Sequence, residues 1–228
     1  YSTTDYKKIL NDEDVDSVLI TTRHDSHAKF VIDALKSGKN VFVEKPLALN
    51  ETELDNICLQ YNQVNDLSLM VGFNRRFSPH IKLIKNSIIN STDPINLVIT
   101  MNAGAIPLDH WVHDMKVGGG RIIGEACHSL DVCVYLSGSL IKSVCMNSLG
   151  ESPIENTDNA SLLLKFENGS NAVINYFSNG SKAYSKERVE VFSNEKTWII
   201  DNYRTTKVYG AKSSNFKTKI DKGHKNQF

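Results

Sequence analysis

The chain has 228 residues, 40% of them hydrophobic and 23% charged, the balance of a globular protein with a real core in one large domain or two modest ones. Its 26 basic and 26 acidic side chains cancel, which argues against a polyanion-binding surface and so against nucleic acid as a partner. No apolar run approaches the roughly 18 residues that span a bilayer, and the opening Tyr1-Ser2-Thr3-Thr4-Asp5-Tyr6 lacks the apolar core of a secretion signal. The expectation is therefore a cytoplasmic protein without a membrane partner. Cys58, Cys127, Cys133 and Cys145 form no Cys-x-x-Cys pair, and reduced core thiols are expected. Triplets such as Asn168-Gly169-Ser170 read as turns rather than glycosylation sites.

Residues up to Phe73 alternate helix and strand. Tyr6 to Leu10 reads as a short helix, and Ser17-Val18-Leu19-Ile20-Thr21 as a buried strand. Ser26 to Lys36 is predicted helical, with Phe30, Val31, Ala34 and Leu35 on one face and Gly38 as its stop. Asn40 to Val43 is the next strand, interrupted by Pro46. Asn50 caps a helix to about Gln63, and Leu67 to Gly72 is a third strand. Strands separated by helices, without hairpin signals, predict parallel βαβ units.

The grammar then changes. Ser78 to Ile89 reads as a helix and Ile95 to Met101 as a strand. A loop with Pro107, Trp111 and Gly118-Gly119-Gly120 precedes a helix from about Arg121 to Leu136, closed by Gly138. Strands follow at roughly 143–149, 160–166, 172–177, 187–193, 197–201 and 206–209. Glu167-Asn168-Gly169 and Ser193-Asn194-Glu195 look like hairpin turns. The predicted class is α/β: a partial Rossmann-type parallel sheet over 1–73, and an α/β region over 74–228 with a largely antiparallel or mixed open sheet. A dinucleotide-binding half normally opens with a strand and a Gly-x-Gly-x-x-Gly turn, and this chain contains none.

Four ordered segments resemble the Gfo/Idh/MocA family of glucose–fructose oxidoreductases and inositol dehydrogenases. They are Thr21-Thr22-Arg23-His24-Asp25-Ser26-His27, Gly38-Lys39-Asn40-Val41-Phe42-Val43-Glu44-Lys45-Pro46, Val71-Gly72-Phe73-Asn74-Arg75-Arg76-Phe77 and the glycine-led stretch Gly118 to Asp131 with His128. The sequence departs from the family pattern twice. Arg23-His24 stands where Pro-Asn is common, and Gly124 where many members carry Asp. The resemblance also accounts for the absent glycine turn, since the family's opening strands would precede Tyr1. Gly223 to Phe228 reads as the entry to a further helix.

The resemblance implies an NAD- or NADP-dependent oxidoreductase moving a hydride between nicotinamide and a hydroxyl or keto group of a sugar, polyol or nucleotide sugar. Oxidising a secondary alcohol requires a hydride acceptor and a base for the hydroxyl proton, and the resemblance gives the second role to Lys45. It implies a catalytic His128, and places Thr22, His24, His27, Glu44, Pro46 and Asn74 on the cofactor side. Arg121, Glu125, His128 and Val132 fall at helical spacing, beside an apolar stripe of Ile123, Cys127, Leu130 and Val134. Glu125 either replaces the carboxylate missing at Gly124 or pairs with Arg121, while Asp131 either orients His128 or faces solvent. Arg75 is read as a substrate anchor or a surface salt bridge, Arg121 as a candidate substrate anchor, and Trp111 as a platform for a sugar face or a packing residue. His110, His113 and Asp114 lack a further ligand at clear spacing, so no metal is expected. A homo-oligomer through the C-terminal sheet is expected. The rival readings are a non-catalytic nucleotide- or sugar-binding regulator, an inactive fragment of such an enzyme, and a zinc hydrolase using the His110 loop.

Overall fold

The computed structural model describes residues 2–151, 154–210 and 215–227. The chain separates into two compact units, one of residues 1–73 with 111–124, the other of residues 74–110 with 125–228.

In the first unit, β1 (Ser17–Ile20), β2 (Asn40–Val43) and β3 (Leu69–Val71) form a parallel sheet in that order, with Leu19 opposite Phe42 and Val41 opposite Leu69. Helix α1 (Tyr6–Leu10) precedes it, α2 (His27–Lys36) joins β1 to β2, and α3 (Glu51–Tyr61) joins β2 to β3. Helix α2 ends where Gly38 takes φ +71°, a conformation glycine adopts without steric cost. Asn50 caps α3 by accepting from the Glu53 N–H, and the Glu53 carboxylate accepts from the Leu49 N–H, a variant of the reciprocal capping box. The core gathers Ile20, Val31, Ala34, Leu35, Val41, Val43 and Ile57.

Strand β1 departs from its expected burial. Only Ile20 is buried, and Leu19 is 63% exposed. The strand lies at the edge of the sheet with a neighbour on one side, so an apolar composition did not translate into two covered faces.

The second unit is an eight-stranded mixed sheet. In chain order its strands are β4 (Asn96–Asn102), β5 (Ile141–Ser148), β6 (Ala160–Phe166), β7 (Asn171–Phe177), β8 (Glu187–Ser193), β9 (Lys196–Asp201), β10 (Thr205–Tyr209) and β11 (Phe216–Lys217). Their order in the sheet is β11-β10-β9-β8-β4-β7-β6-β5, antiparallel throughout except for the β4–β7 pair. Alternate residues such as Leu162, Leu164 and Phe166 are buried, as a sheet covered on one face requires. Helices α4 (Pro79–Ile88) and α5 (Cys127–Ser137) bury His80, Ile81 and Ile84, and Val132, Cys133 and Leu136. The β8–β9 turn holds Asn194 and Glu195 at φ 49° and 58°, and the β9–β10 turn holds Asn202 and Tyr203 at 50° and 52°, the left-handed pairs of tight hairpins.

The expectations for the Arg121 helix and for the cysteines are corrected. The helix read as regular from Arg121 begins with a π-helical turn over Ile122–Ala126 before α5. That wider turn changes the register of side chains before and after it, and the expected apolar stripe Ile123, Cys127, Leu130 and Val134 is only half-buried. The buried side runs instead through Ala126, Ser129, Val132, Cys133 and Leu136. Of the four free cysteines, only Cys133 is a core thiol. Cys58 and Cys145 are exposed and Cys127 is half-buried, because Cys58 sits on the outer side of α3 and Cys145 on the edge strand β5. In the segment read as the entry to a further helix, His224–Asn226 form one 3-10 turn, and Phe228 lies outside the described residues.

Candidate functional site

Within the first unit, the loops at the carboxyl ends of β1 and β2 carry Thr22, His24, His27, Glu44, Lys45 and Pro46. His27 is fully buried. Its Nδ1 lies 2.7 Å from the Pro46 carbonyl oxygen and its Nε2 3.0 Å from that of Thr22, so one ring spans both loops. The Lys45–Pro46 peptide is cis. The Glu44 carboxyl packs against Gly72 and accepts from the Lys45 N–H at 3.3 Å. Thr22 is exposed, its hydroxyl 2.6 Å from that of Ser26.

The segment 111–124 packs into the same unit. Lys45 Nζ donates to the Gly124 carbonyl at 2.7 Å. Gly124 lies in the π-helical turn, where the regular i→i−4 ladder is interrupted and a carbonyl becomes available to an outside donor. His24 Nδ1 lies 2.8 Å from the Gly118 carbonyl oxygen. Burial is the largest cause pushing the His24 pKa down, and the Lys45 and His27 charges push the same way. The Trp111 ring meets His24 edge-on at 4.9 Å, and the Arg23 guanidinium lies 5.5 Å from the Trp111 ring centre.

Two glycines are packing requirements. A Cβ on Gly118 would stand 2.4 Å from the Val112 backbone, and one on Gly124 would stand 3.0 Å from the His24 ring. Arg121 is 2% exposed in this segment.

Within the second unit, Asn74 Nδ2 donates to the Lys222 carbonyl at 2.8 Å. Arg75 does not lie open at the surface. Its Nε and Nη2 donate to the Glu187 carboxylate at 2.7 and 3.1 Å, and Lys222 bonds the same carboxylate. Burial opposes the charge on Glu187, but Arg75 and Lys222 hold its pKa below the ordinary carboxylate value.

His128 is buried near the start of α5. Asp131 is buried and bonded to the Arg76 guanidinium; burial raises its pKa despite that partner. Glu125, on the π turn, accepts from the Tyr176 hydroxyl at 2.6 Å.

Sequence reasoning missed three partners: Glu187 for Arg75, Tyr176 for Glu125 and Arg76 for Asp131. Each joins residues far apart in the chain, and local spacing carries no signal of them. Among the described residues no group of three or more His, Cys, Asp and Glu is placed to hold a metal ion, and no helix is long and apolar enough to cross a membrane.

A parallel sheet crossed by helices, with a lysine at a strand's carboxyl end, in a chain that also carries a large mixed sheet, defines a Rossmann-type α/β architecture. The oxidoreductase family profile described as an NAD-binding Rossmann fold matches residues 2–73, and the GFO/IDH/MocA C-terminal domain profile matches residues 93–199. The chain belongs to the Gfo/Idh/MocA family.

An uncharacterized oxidoreductase, YrbE, of Bacillus subtilis is 32% identical over 215 residues, covering 91% of this chain and 62% of that protein. A myo-inositol 2-dehydrogenase of Thermotoga maritima is 31% identical over 214 residues, covering 90% and 62%. The structure of a levoglucosan dehydrogenase with NADH and levoglucosan shares the fold at TM-score 0.80 and 23% identity, covering 95% of this chain and 65% of that one. The chain thus spans somewhat under two thirds of the length of these relatives.

Proposed function

We propose that the protein is an NAD-dependent dehydrogenase acting on a secondary alcohol of a sugar or polyol. The observation that carries the reading is Lys45, held by Gly124 at the carboxyl end of β2 within the cluster of His24, Glu44 and Trp111. The family's description as NAD-binding and the inositol dehydrogenase relative support it.

The polar groups at the ends of β1 and β2 suit a nicotinamide–ribose group: the exposed Thr22 hydroxyl, the Glu44 carboxylate and the Lys45 amino group offer acceptors and donors on one rigid edge. When bound, the dinucleotide supplies the hydride acceptor. In its amine form Lys45 takes the proton from the reacting hydroxyl and becomes ammonium, and its bond to the Gly124 carbonyl fixes the direction of its nitrogen. In the second unit, His128 and Glu125, whose carboxylate accepts from the Tyr176 hydroxyl, are the further catalytic groups that the family resemblance suggests. Trp111 and Arg121 serve on the substrate side; His27 and Pro46 hold the loop that carries Lys45. Asn74 and Arg75 are tied within the second unit to Lys222 and Glu187.

Titration with NAD+ and a panel of inositols and hexoses, following NADH absorbance, tests the reading. Turnover of at least one polyol or sugar is expected, and failure to bind either NADH or NADPH sinks it.

The open face of the large sheet is the proposed homo-oligomer surface. Cys145, Leu163, Val173, Val98, Glu190 and Ile199 form one cross-strand row on it, and Leu163 is 56% exposed. Light scattering is expected to show an oligomer that Leu163→Lys dissociates; a monomer at all concentrations contradicts this.

A further inference from the structure

We propose that Arg23 reads an anionic group, a carboxylate or a phosphate, on the sugar ligand of this site. The inference rests on the dehydrogenase reading of the Lys45 cluster and narrows its substrate class to sugar acids or sugar phosphates.

Arg23 sits on the turn between β1 and α2, and its backbone is fixed there. Its carbonyl accepts from the Ser26 hydroxyl at 2.8 Å and from the Ser26 N–H at 3.2 Å. The side chain is exposed, yet it is not adrift, because the guanidinium rests over Trp111 at 5.5 Å. Trp111 is itself held by the His24 ring edge, and His24 by the Gly118 carbonyl. A guanidinium within cation–π distance of an indole is restrained in position while its N–H donors still suit the two oxygens of a carboxylate or phosphate.

The charge of Arg23 is also unspent. Arg75, Arg76 and Arg188 each bond a carboxylate. Among the described residues none lies within ion-pair distance of Arg23. Asp25, two positions on, exerts its charge on His24. Arg23 belongs to the cluster that holds Lys45: Trp111 touches His24, His24 packs against Gly124, and Gly124 accepts from Lys45. An oriented, uncompensated cation at the carboxyl end of a parallel strand, where ligands of such sheets bind, suits an anionic substrate group better than a neutral hydroxyl.

Trp111 provides the readout. The protein is titrated with galacturonate, glucose 6-phosphate and galactose while tryptophan fluorescence is followed, with NADH in a separate arm. A saturable change is expected with at least one anionic sugar, at an affinity about tenfold or more above that for galactose. The fluorescence change should vanish in Trp111→Phe, and anion affinity should weaken about tenfold or more in Arg23→Gln and by less than that in Arg23→Lys, which keeps the charge and loses the fork. NADH affinity should be the same in Arg23→Gln as in the unaltered protein.

Equal responses to galactose and galacturonate overturn the proposal. So does an unaltered anion response in Arg23→Gln, or no anion response in a protein that binds NADH. If Arg23→Gln instead weakens NADH alone, the anion belongs to the cofactor and the proposal is wrong. Loss of NADH binding in the unaltered protein counts against the dehydrogenase reading itself.

Discussion

Replacing Glu187 with Gln tests the energetics of the second unit most sharply. Glu187 is 4% exposed and accepts from two nitrogens of Arg75, itself 8% exposed, while Lys222 bonds the same carboxylate. Glutamine keeps the volume and removes the charge, leaving the Arg75 guanidinium buried without a counterion. Breaking a buried pair from one side costs about 3–5 kcal/mol, which for a chain of this size lowers Tm by roughly 6–20 °C. Glu190→Gln breaks the half-exposed pair with Arg188 and should cost no more than about 1 kcal/mol.

The Glu187 effect has a pH signature. Its folded pKa is depressed, against the burial that opposes its charge, by Arg75 and Lys222. Its contribution is therefore present above the unfolded pKa of about 4.3 and disappears as pH falls through the lower folded value. Urea denaturation of both variants between neutral and acid pH reads this directly. A neutral-pH loss below about 1 kcal/mol, or a loss that persists unchanged in acid, refutes the reasoning.

Gly118→Ala forces a Cβ to within 2.4 Å of the Val112 backbone, so it should destabilise the first unit by about 2 kcal/mol or more, seen as increased hydrogen exchange of segment 111–124; an unchanged exchange pattern contradicts the packing. Burial lowers the pKa of both His24 and His80, so the unfolded chain binds protons first and stability should fall as pH drops through about 6.5. His80→Gln should flatten part of that slope, and an identical slope excludes His80 as a source. Thiol labelling of the native protein should modify Cys58 and Cys145 rapidly and Cys133 only on unfolding, since burial also pushes the Cys133 thiol pKa upward.

Much of the fold was legible because its signals are local. Asn50, Gly38 and the Val- and Ile-rich runs mark helix starts, stops and strands without reference to the rest of the chain. The features that escaped are products of tertiary contact. The exposure of Leu19 depends on β1 having one strand neighbour. The π turn at Ile122–Ala126 leaves no periodicity to distinguish it from an α-helix. The packing of segment 111–124 into the first unit turns on Gly118 approaching the Val112 and Trp111 backbone, a contact no spacing rule announces. Candidate residues were readable by type and order, but their partners were not. Arg75 shows this best: a cation readable as a substrate anchor or a surface ion pair is bonded to a buried carboxylate 112 positions away.

Kinetics of Lys45→Ala, measured beside NADH affinity, test the role of Lys45 as the acceptor of the hydroxyl proton. If Lys45 carries the hydroxyl proton, kcat for sugar or polyol oxidation should fall about 10²-fold or more, while the NADH dissociation constant changes by less than about threefold. Turnover retained near the unaltered level, in a variant that folds and binds NADH, contradicts the account.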